Sequence, residues 1–291
     1  MSDDSILDKR RLRRSFEGAA ATYEEAAALQ HEVCRRMLER LSYIRLEPSA
    51  ILDAGSGTGN ALPALLQRYP RAHILAVDLA LAMLKRGQAR LPWWRGLPGL
   101  RPALSSIAAD MERLPLAKTS IDMVWSNLAL QWMNALPAAL AEMYRVLTPG
   151  GLLMFSTFGP DTLKELRAAY EGIPHRHVNR FTDMHDIGDM LVQAGYADPV
   201  IDMEMFTLTY GDVRQLMREL KAIGARNVTA GRPASLTGRG VLQSVTEKYE
   251  TFRRDGKLPA TFEVIYGHAW KPQARMSPTG RPVIDIKTKG S

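Results

Sequence analysis

Three glycines at alternate positions, Gly55, Gly57 and Gly59, follow the apolar run Ile51-Leu52 and the carboxylate Asp53, and lead into a helix-forming segment. Glycines at such a turn let the backbone approach a ligand closely while helix N–H groups point at it, a cradle suited to a nucleotide-type molecule. A dinucleotide fingerprint needs the spacing G-x-G-x-x-G. Counting from Gly55 or from Gly57 puts Asn60 or Leu62 where the third glycine belongs, so the dinucleotide reading weakens. Asp53 would repel a pyrophosphate but could pair with a ligand ammonium, and S-adenosylmethionine carries such an ammonium and no phosphate. A second acid, Asp78, ends the apolar run His73-Ile-Leu-Ala-Val77 about 20 positions beyond the glycines, where a carboxylate can accept hydrogen bonds from ribose hydroxyls.

Further polar groups stand at comparable places. Asp110-Met111 follows the strand-like stretch Ala103–Ala109, where an adenine could meet a carboxylate and an apolar side chain. Asn127-Leu-Ala-Leu-Gln-Trp132 follows the strand-like stretch Ile121–Ser126. His175 and His177 lack a third ligand at suitable spacing, so no metal is expected. No Ser-His-Asp or Cys-His arrangement is visible.

These residues need a scaffold that brings strand ends together. Strands read at 51–54, 73–77, 103–109, 121–126 and 152–157 alternate with helices over 61–69, 79–90 and 137–147, which implies a parallel, doubly wound α/β sheet. Ligands of such sheets sit at the carboxyl ends of the strands, where Gly55, Asp78, Asp110, Asn127 and Thr157 all fall. Thr148-Pro-Gly-Gly151 ends the third of these helices. Ahead of the sheet, residues 9–45 read as two helices, and Phe16 and Tyr23 either pack them against the body or belong to a lid over the ligand. Pro92–Gly99, with Trp93 and Trp94, reads as a surface insertion. Beyond the sheet, helices are expected over 161–171, 182–193 with Thr182 as N-cap, 213–223 and 244–254, with strands over 199–210 and 261–270. The polar stretch 273–291 reads as a flexible tail.

The formal net charge of +7 favours acidic partners without choosing among nucleic acid, anionic membranes and proteins. One cysteine, Cys34, excludes an intramolecular disulfide and a cysteine-rich metal site, so a reducing compartment is the default. The N-terminus has no apolar core of a secretion signal, and no apolar stretch approaches the ~18 residues of a membrane span. A cytoplasmic protein is expected.

Asp53-Ala-Gly-Ser-Gly-Thr-Gly59, Asp78, Asp110-Met-Glu-Arg-Leu-Pro115 and Arg145-Val-Leu-Thr-Pro-Gly-Gly151 together resemble the class I S-adenosylmethionine-dependent methyltransferases. Phe155–Arg167, Phe181–Asp189, Val264-Ile-Tyr-Gly-His-Ala-Trp270 and the N-terminal Phe16, Ala19, Ala20, Tyr23 pattern resemble, within that class, the malonyl-acyl-carrier-protein O-methyltransferases of biotin synthesis, over about residues 9–272. The resemblance implies a Rossmann-like, mostly parallel seven-stranded sheet in a domain over 46–272, with N-terminal helices over 1–45 as a lid and a helical, substrate-side insertion at about 205–258. It implies S-adenosylmethionine as cofactor, with Gly55, Gly57 and Gly59 at its methionine moiety, Asp53 near the ammonium, Asp78 on the ribose, and Leu79 and Met83 beside the adenine. Asp110 would contact the adenine amino group, Met111 the ring, and Asn127 would line the pocket. Gln131, Trp132 and Phe158 would face the substrate, and Tyr23 would close the site and orient the reactants.

The implied reaction esterifies the free carboxylate of a malonyl thioester, on an acidic carrier protein or on coenzyme A. Arg167, Arg176, Arg180 and Lys164 are candidates for a basic rim, or else solvated helix charges. A carboxylate is already an anion at pH 7, so no general base is expected. Rival readings are a quinone-type small-molecule methyltransferase and a respiratory-complex assembly factor modifying a protein arginine. Nucleic-acid methylation ranks low, because Ser126-Asn-Leu-Ala-Leu130 stands where amine methyltransferases carry Asn/Asp-Pro-Pro-aromatic.

Overall fold

Alternation within the buried strands sorts their side chains onto two faces of one sheet. The computed structural model describes residues 6–89, 104–173, 178–225 and 238–273. The expected insertion at 92–99 and the tail from 274 lie outside the described residues. The strands are β1 (Ala50–Ala54), β2 (His73–Asp78), β3 (Leu104–Ala108), β4 (Ile121–Ser126), β5 (Leu147–Phe158), β6 (Ala197–Tyr210) and β7 (Leu258–Trp270). They form a seven-stranded sheet in the order β3-β2-β1-β4-β5-β7-β6. β1 to β5 run parallel, and β7 pairs antiparallel with both β5 and β6. This is the doubly wound α/β architecture that the alternation of elements predicts.

The helices are α1 (Lys9–Ala19), α2 (Tyr23–Ala26), α3 (Ala28–Leu41), α4 (Leu62–Arg68), α5 (Leu81–Ala89), α6 (Leu136–Val146), α7 (Lys164–Ala169), α8 (Met184–Gln193), α9 (Val213–Ala222) and α10 (Arg239–Glu250). Ile51, Ile74, Met123, Trp125, Leu152 and Met154 project into one layer, with Val33, Met37 and Leu41 of α3 and Leu62 and Leu65 of α4. Leu52, Val77, Val124, Leu153 and Phe155 project into the other, with Leu140 and Met143 of α6 and Ile187 and Leu191 of α8. The antiparallel junction depends on one residue. A Cβ at Gly267 would stand 2.3 Å from Phe155 Cζ, so only glycine lets β7 close over that ring.

Three expectations are corrected. The N-terminal segment makes three helices, because the chain turns at Ala20–Thr22 and again at Ala27. Thr182 does not cap α8. Asp183 does, its carboxylate accepting the His185 N–H, the stronger charged form of the same cap. Thr148–Gly151 is strand: α6 stops at Val146, and Gly150 N–H donates to Lys271 O as β5 begins. Between β6 and β7 the chain carries α9 and α10, with β6 continuing to Tyr210. No described helix is long and apolar enough to cross a membrane.

Candidate active site

The parallel strands end at one edge of the sheet, and three neighbouring cavities open there. The first, about 70 Å³, is lined by Gly55, Gly57, Asp78, Leu79, Met83, Asp110, Met111 and Asn127, together with Lys9, Leu12, Phe16, Tyr23 and Trp132. The sheet brings together most of the residues that the sequence marks for a nucleoside. Asp78 Oδ2 accepts the Gly57 N–H at 2.9 Å and Oδ1 accepts the Ala80 N–H at 2.8 Å, so the acid at the end of β2 also shapes the glycine turn. Asp110 Oδ1 accepts the Glu112 N–H and is ion-paired with Lys9 Nζ at 3.1 Å. Lys9 comes from the N-terminal helices, so the Asp110 end of this cavity is closed by a residue that the sequence does not mark.

The second cavity, about 30 Å³, adjoins the glycine loop and is lined by Asp53, Gly55, Ser56, Gly57, Thr58, Asn127, Tyr23, Gln30 and His31, among others. Asp53 is 2% exposed, and its Oδ2 has no hydrogen-bond partner. Burial, and then the Asp78 charge, push its carboxyl up to about 7. Burial likewise raises Asp78 to about 6, against backbone hydrogen bonds from Ala80, Gly57 and Leu79 that lower it. Two carboxylates held above their usual range beside a cavity suit a cationic ligand, which would restore both to the charged form. Gly59 faces elsewhere: a Cβ there would lie 2.6 Å from Leu62 Cδ1 and 3.0 Å from Gly87 Cα, so it serves the packing of the loop on α5. Gly55 lines the first two cavities, and packing demands a glycine there too. Its φ is +76°, and a Cβ would stand 2.3 Å from Ala129 Cβ. Gly55→Ala is therefore expected to cost about 3 kcal/mol of stability, measured by chemical denaturation.

The third cavity, about 100 Å³, is mainly apolar, with Leu29, Leu163, Leu166, Phe181, Leu208 and Phe262 in its walls. Gln131, Trp132 and Phe158 line it together, and Gln30, Asn179, Tyr210 and Glu219 add polar groups. Asn179 Oδ1 is buried and unpartnered, a substrate-facing candidate that sequence reasoning missed. Gln131 is held in place, its Nε2 donating to Leu128 O at 2.6 Å. Arg167 is not among the lining residues: Nη2 donates to Thr162 O at 2.9 Å, which anchors α7. Arg180 is exposed, Lys164 is paired with Asp161 at 2.9 Å, and Arg176, His175 and His177 lie outside the described residues. Among the described residues no cluster of three or more His, Cys, Asp or Glu side chains is placed to hold a metal ion.

Tyr23 lines all three cavities. Burial, and then the Asp78 and Glu24 charges, push its phenol well above the ordinary tyrosine range, so it stays a neutral hydroxyl. Phe16 joins it, edge-on to Trp132 with ring centroids 5.4 Å apart. The two accounts of these aromatics merge, because both pack against the body and both wall the site. Next to Tyr23, Glu24 accepts the Thr58 hydroxyl of the glycine loop and faces His31 Nε2 at 3.3 Å. Asn127 is fixed on two sides, Nδ2 donating to Gln30 O and Oδ1 accepting the Ser156 hydroxyl.

The family described as a methyltransferase domain matches residues 52–155, the stretch from β1 through β5 that carries the donor-side residues. A malonyl-acyl-carrier-protein O-methyltransferase of Gallionella capsiferriformans is 55% identical over 99% of both chains. The chain belongs to the malonyl-acyl-carrier-protein O-methyltransferases. A second member of this O-methyltransferase family, from Methylovorus sp., is 56% identical over 100% of this chain and 98% of its own. The fold is shared with a phosphoethanolamine N-methyltransferase 2 of Haemonchus contortus, solved with phosphomonomethylethanolamine and S-adenosylhomocysteine. It is 17% identical with a TM-score of 0.58, over 92% of this chain and 61% of that one. Identity of 55% over the whole chain to a malonyl-acyl-carrier-protein O-methyltransferase weighs against the quinone-type and arginine-modifying readings.

Proposed function

We propose that the protein transfers the methyl group of S-adenosylmethionine to the free carboxylate of a malonyl thioester borne by an acyl-carrier protein. The observation that carries the reading is the run of three cavities meeting at Tyr23, with carboxylates on the donor side and apolar walls on the acceptor side. The residues present fit the cofactor. Gly57, with open space where a Cβ would stand, leaves room for a backbone-close ligand, Asp53 offers an unpartnered buried acceptor to an ammonium, and Asp78, Leu79, Met83 and Met111 surround a nucleoside-sized space. When bound, S-adenosylmethionine supplies a methyl group activated by its sulfonium.

The rest is done by positioning. A malonyl carboxylate is ionised at pH 7 and needs no base. Tyr23, as a neutral donor at the junction, orients it, while Phe16, Trp132 and Leu128 keep water from the line of attack. The carrier would approach over α9, whose inner side contributes Glu219 and Leu220 to the acceptor cavity, with Ile223 just past its end, and whose Arg214, Arg218 and Lys221 stand exposed. Such a rim suits an acidic carrier, and a malonyl-coenzyme A thioester offers phosphates to the same cations.

Incubation with methyl-labelled S-adenosylmethionine and malonyl carrier protein is expected to place label in a base-labile ester. Label entering another acceptor while the malonyl thioester stays unmodified would refute the assignment.

A further inference from the structure

Asp53 and Trp125 are register partners on adjacent parallel strands, β1 and β4. Their side chains therefore leave the sheet side by side, toward the layer that contains α3. The two side chains and Gln30 of α3 line the same small cavity beside the glycine loop. Each carries a buried polar atom with no hydrogen-bond partner: Asp53 Oδ2, Trp125 Nε1 and Gln30 Oε1. Buried polar groups are almost always paired, and three orphans facing one cavity mark a place where a ligand completes them.

The chemistry of the three is specific. An indole N–H can only donate, an ionised carboxylate can only accept, and a side-chain amide offers a donor or an acceptor according to a half-turn of its last torsion. A donor and an anionic acceptor next to each other match the two charged groups of an α-amino acid. Trp125 is fully buried within the sheet layer, and its indole N–H has no partner within the protein. The backbone of Gln30 is held in position, its main-chain carbonyl accepting from Asn127 Nδ2 at 3.1 Å.

We infer that Trp125 Nε1 and the Gln30 amide bind the carboxylate of the cofactor's amino-acid end, next to the ammonium taken by Asp53. The inference rests on the cofactor reading above and names residues that neither the glycine loop nor the family motifs mark. It makes recognition of the methionyl group a three-point match, with the N-terminal helices supplying one point. His31 lines the same cavity but its Nε2 faces Glu24 at 3.3 Å and is left to hold α2.

Calorimetry with two ligands tests it. S-adenosylhomocysteine carries the amino-acid end, and 5′-methylthioadenosine lacks it. Trp125→Phe and Gln30→Leu are each expected to weaken S-adenosylhomocysteine by about tenfold, as for one charge-assisted hydrogen bond, and to leave 5′-methylthioadenosine within about twofold of the parent. A purely structural role would weaken both ligands alike and would overturn the inference, as would unchanged affinity for both. Decarboxylated S-adenosylmethionine adds a measurement on the unaltered protein. It should bind about tenfold or more weaker than S-adenosylmethionine, and equal affinity would overturn the inference even if neither variant folds. If the unaltered protein bound neither S-adenosylmethionine nor S-adenosylhomocysteine, the cofactor reading itself would fall, a result separate from those above.

Discussion

Asp78→Ala should bind S-adenosylhomocysteine at least ~100-fold more weakly than the parent protein while keeping the fold. The magnitude follows from the charged acceptor it removes: hydrogen bonds to an ionised group contribute about 1.5–3 kcal/mol each, and two ribose hydroxyls would be left without one. The side chain also accepts the Gly57 and Ala80 N–H groups, so part of the loss comes from a loosened glycine turn. Asp78→Asn separates the two contributions, because the amide keeps one acceptor oxygen and loses the charge. Calorimetry gives the affinities, and circular dichroism checks the fold. Unchanged affinity in Asp78→Ala would sink the ribose assignment.

Asp53→Asn has an opposite pair of effects. In the free protein, burial and the neighbouring Asp78 raise the Asp53 carboxyl from 3.8 to about 7. The folded state therefore binds this proton more tightly than the unfolded chain does, and stability falls as pH rises from about 4 to about 7. Above pH 7 the deficit is complete, and an uncharged asparagine escapes it. The variant's melting temperature without ligand is expected to exceed the parent's by a few degrees at pH 8, with the gap closing toward pH 4. Its affinity for S-adenosylhomocysteine should drop about 30-fold or more at pH 8, since a buried ammonium loses its counter-charge. In the parent, affinity should also decline as pH falls below about 7, because the ligand's cation must then displace a proton from Asp53. Asp53→Asn should flatten that decline. A variant no more stable than the parent at pH 8, or an affinity unaffected by the substitution, would show that the carboxylate is not held against its charge for a cation.

The donor half of the site was legible because its signals are local. Gly55 needs its positive φ within a few residues of Asp53, and Asp78 ends the next strand, so spacing alone carries the geometry. Distant closure was not legible. Lys9 meets Asp110 across 101 positions, and Glu24 meets Thr58 across 34; neither partner carries a pattern that names the other. The same limit applies to Gln30 and Asn179, ordinary amides whose significance lies in where three layers of structure meet. Gly59 shows the reverse case, a motif position whose structural duty is contact with Gly87. Arg167 looked available as a cation and is tied to the Thr162 carbonyl, because α7 begins with the left-handed Leu163 and its first turn needs support. Choosing Thr182 over Asp183 as a cap failed for a smaller reason: both residue types cap helices, and adjacent candidates differ only in register.

The N-terminal helices are fastened on two sides. Ser15 and Thr22 donate to the Gly224 and Ala222 carbonyls at the end of α9, while Glu24 grips Thr58 and Lys9 grips Asp110 on the cofactor side. Those helices supply walls to donor and acceptor cavities alike, so any movement of them would open both chambers together. A swing wide enough to free the spent nucleoside must also disturb the seat of the newly made ester, which couples the departure of the two products. Turnover would then keep time with the hinge rather than with the chemistry.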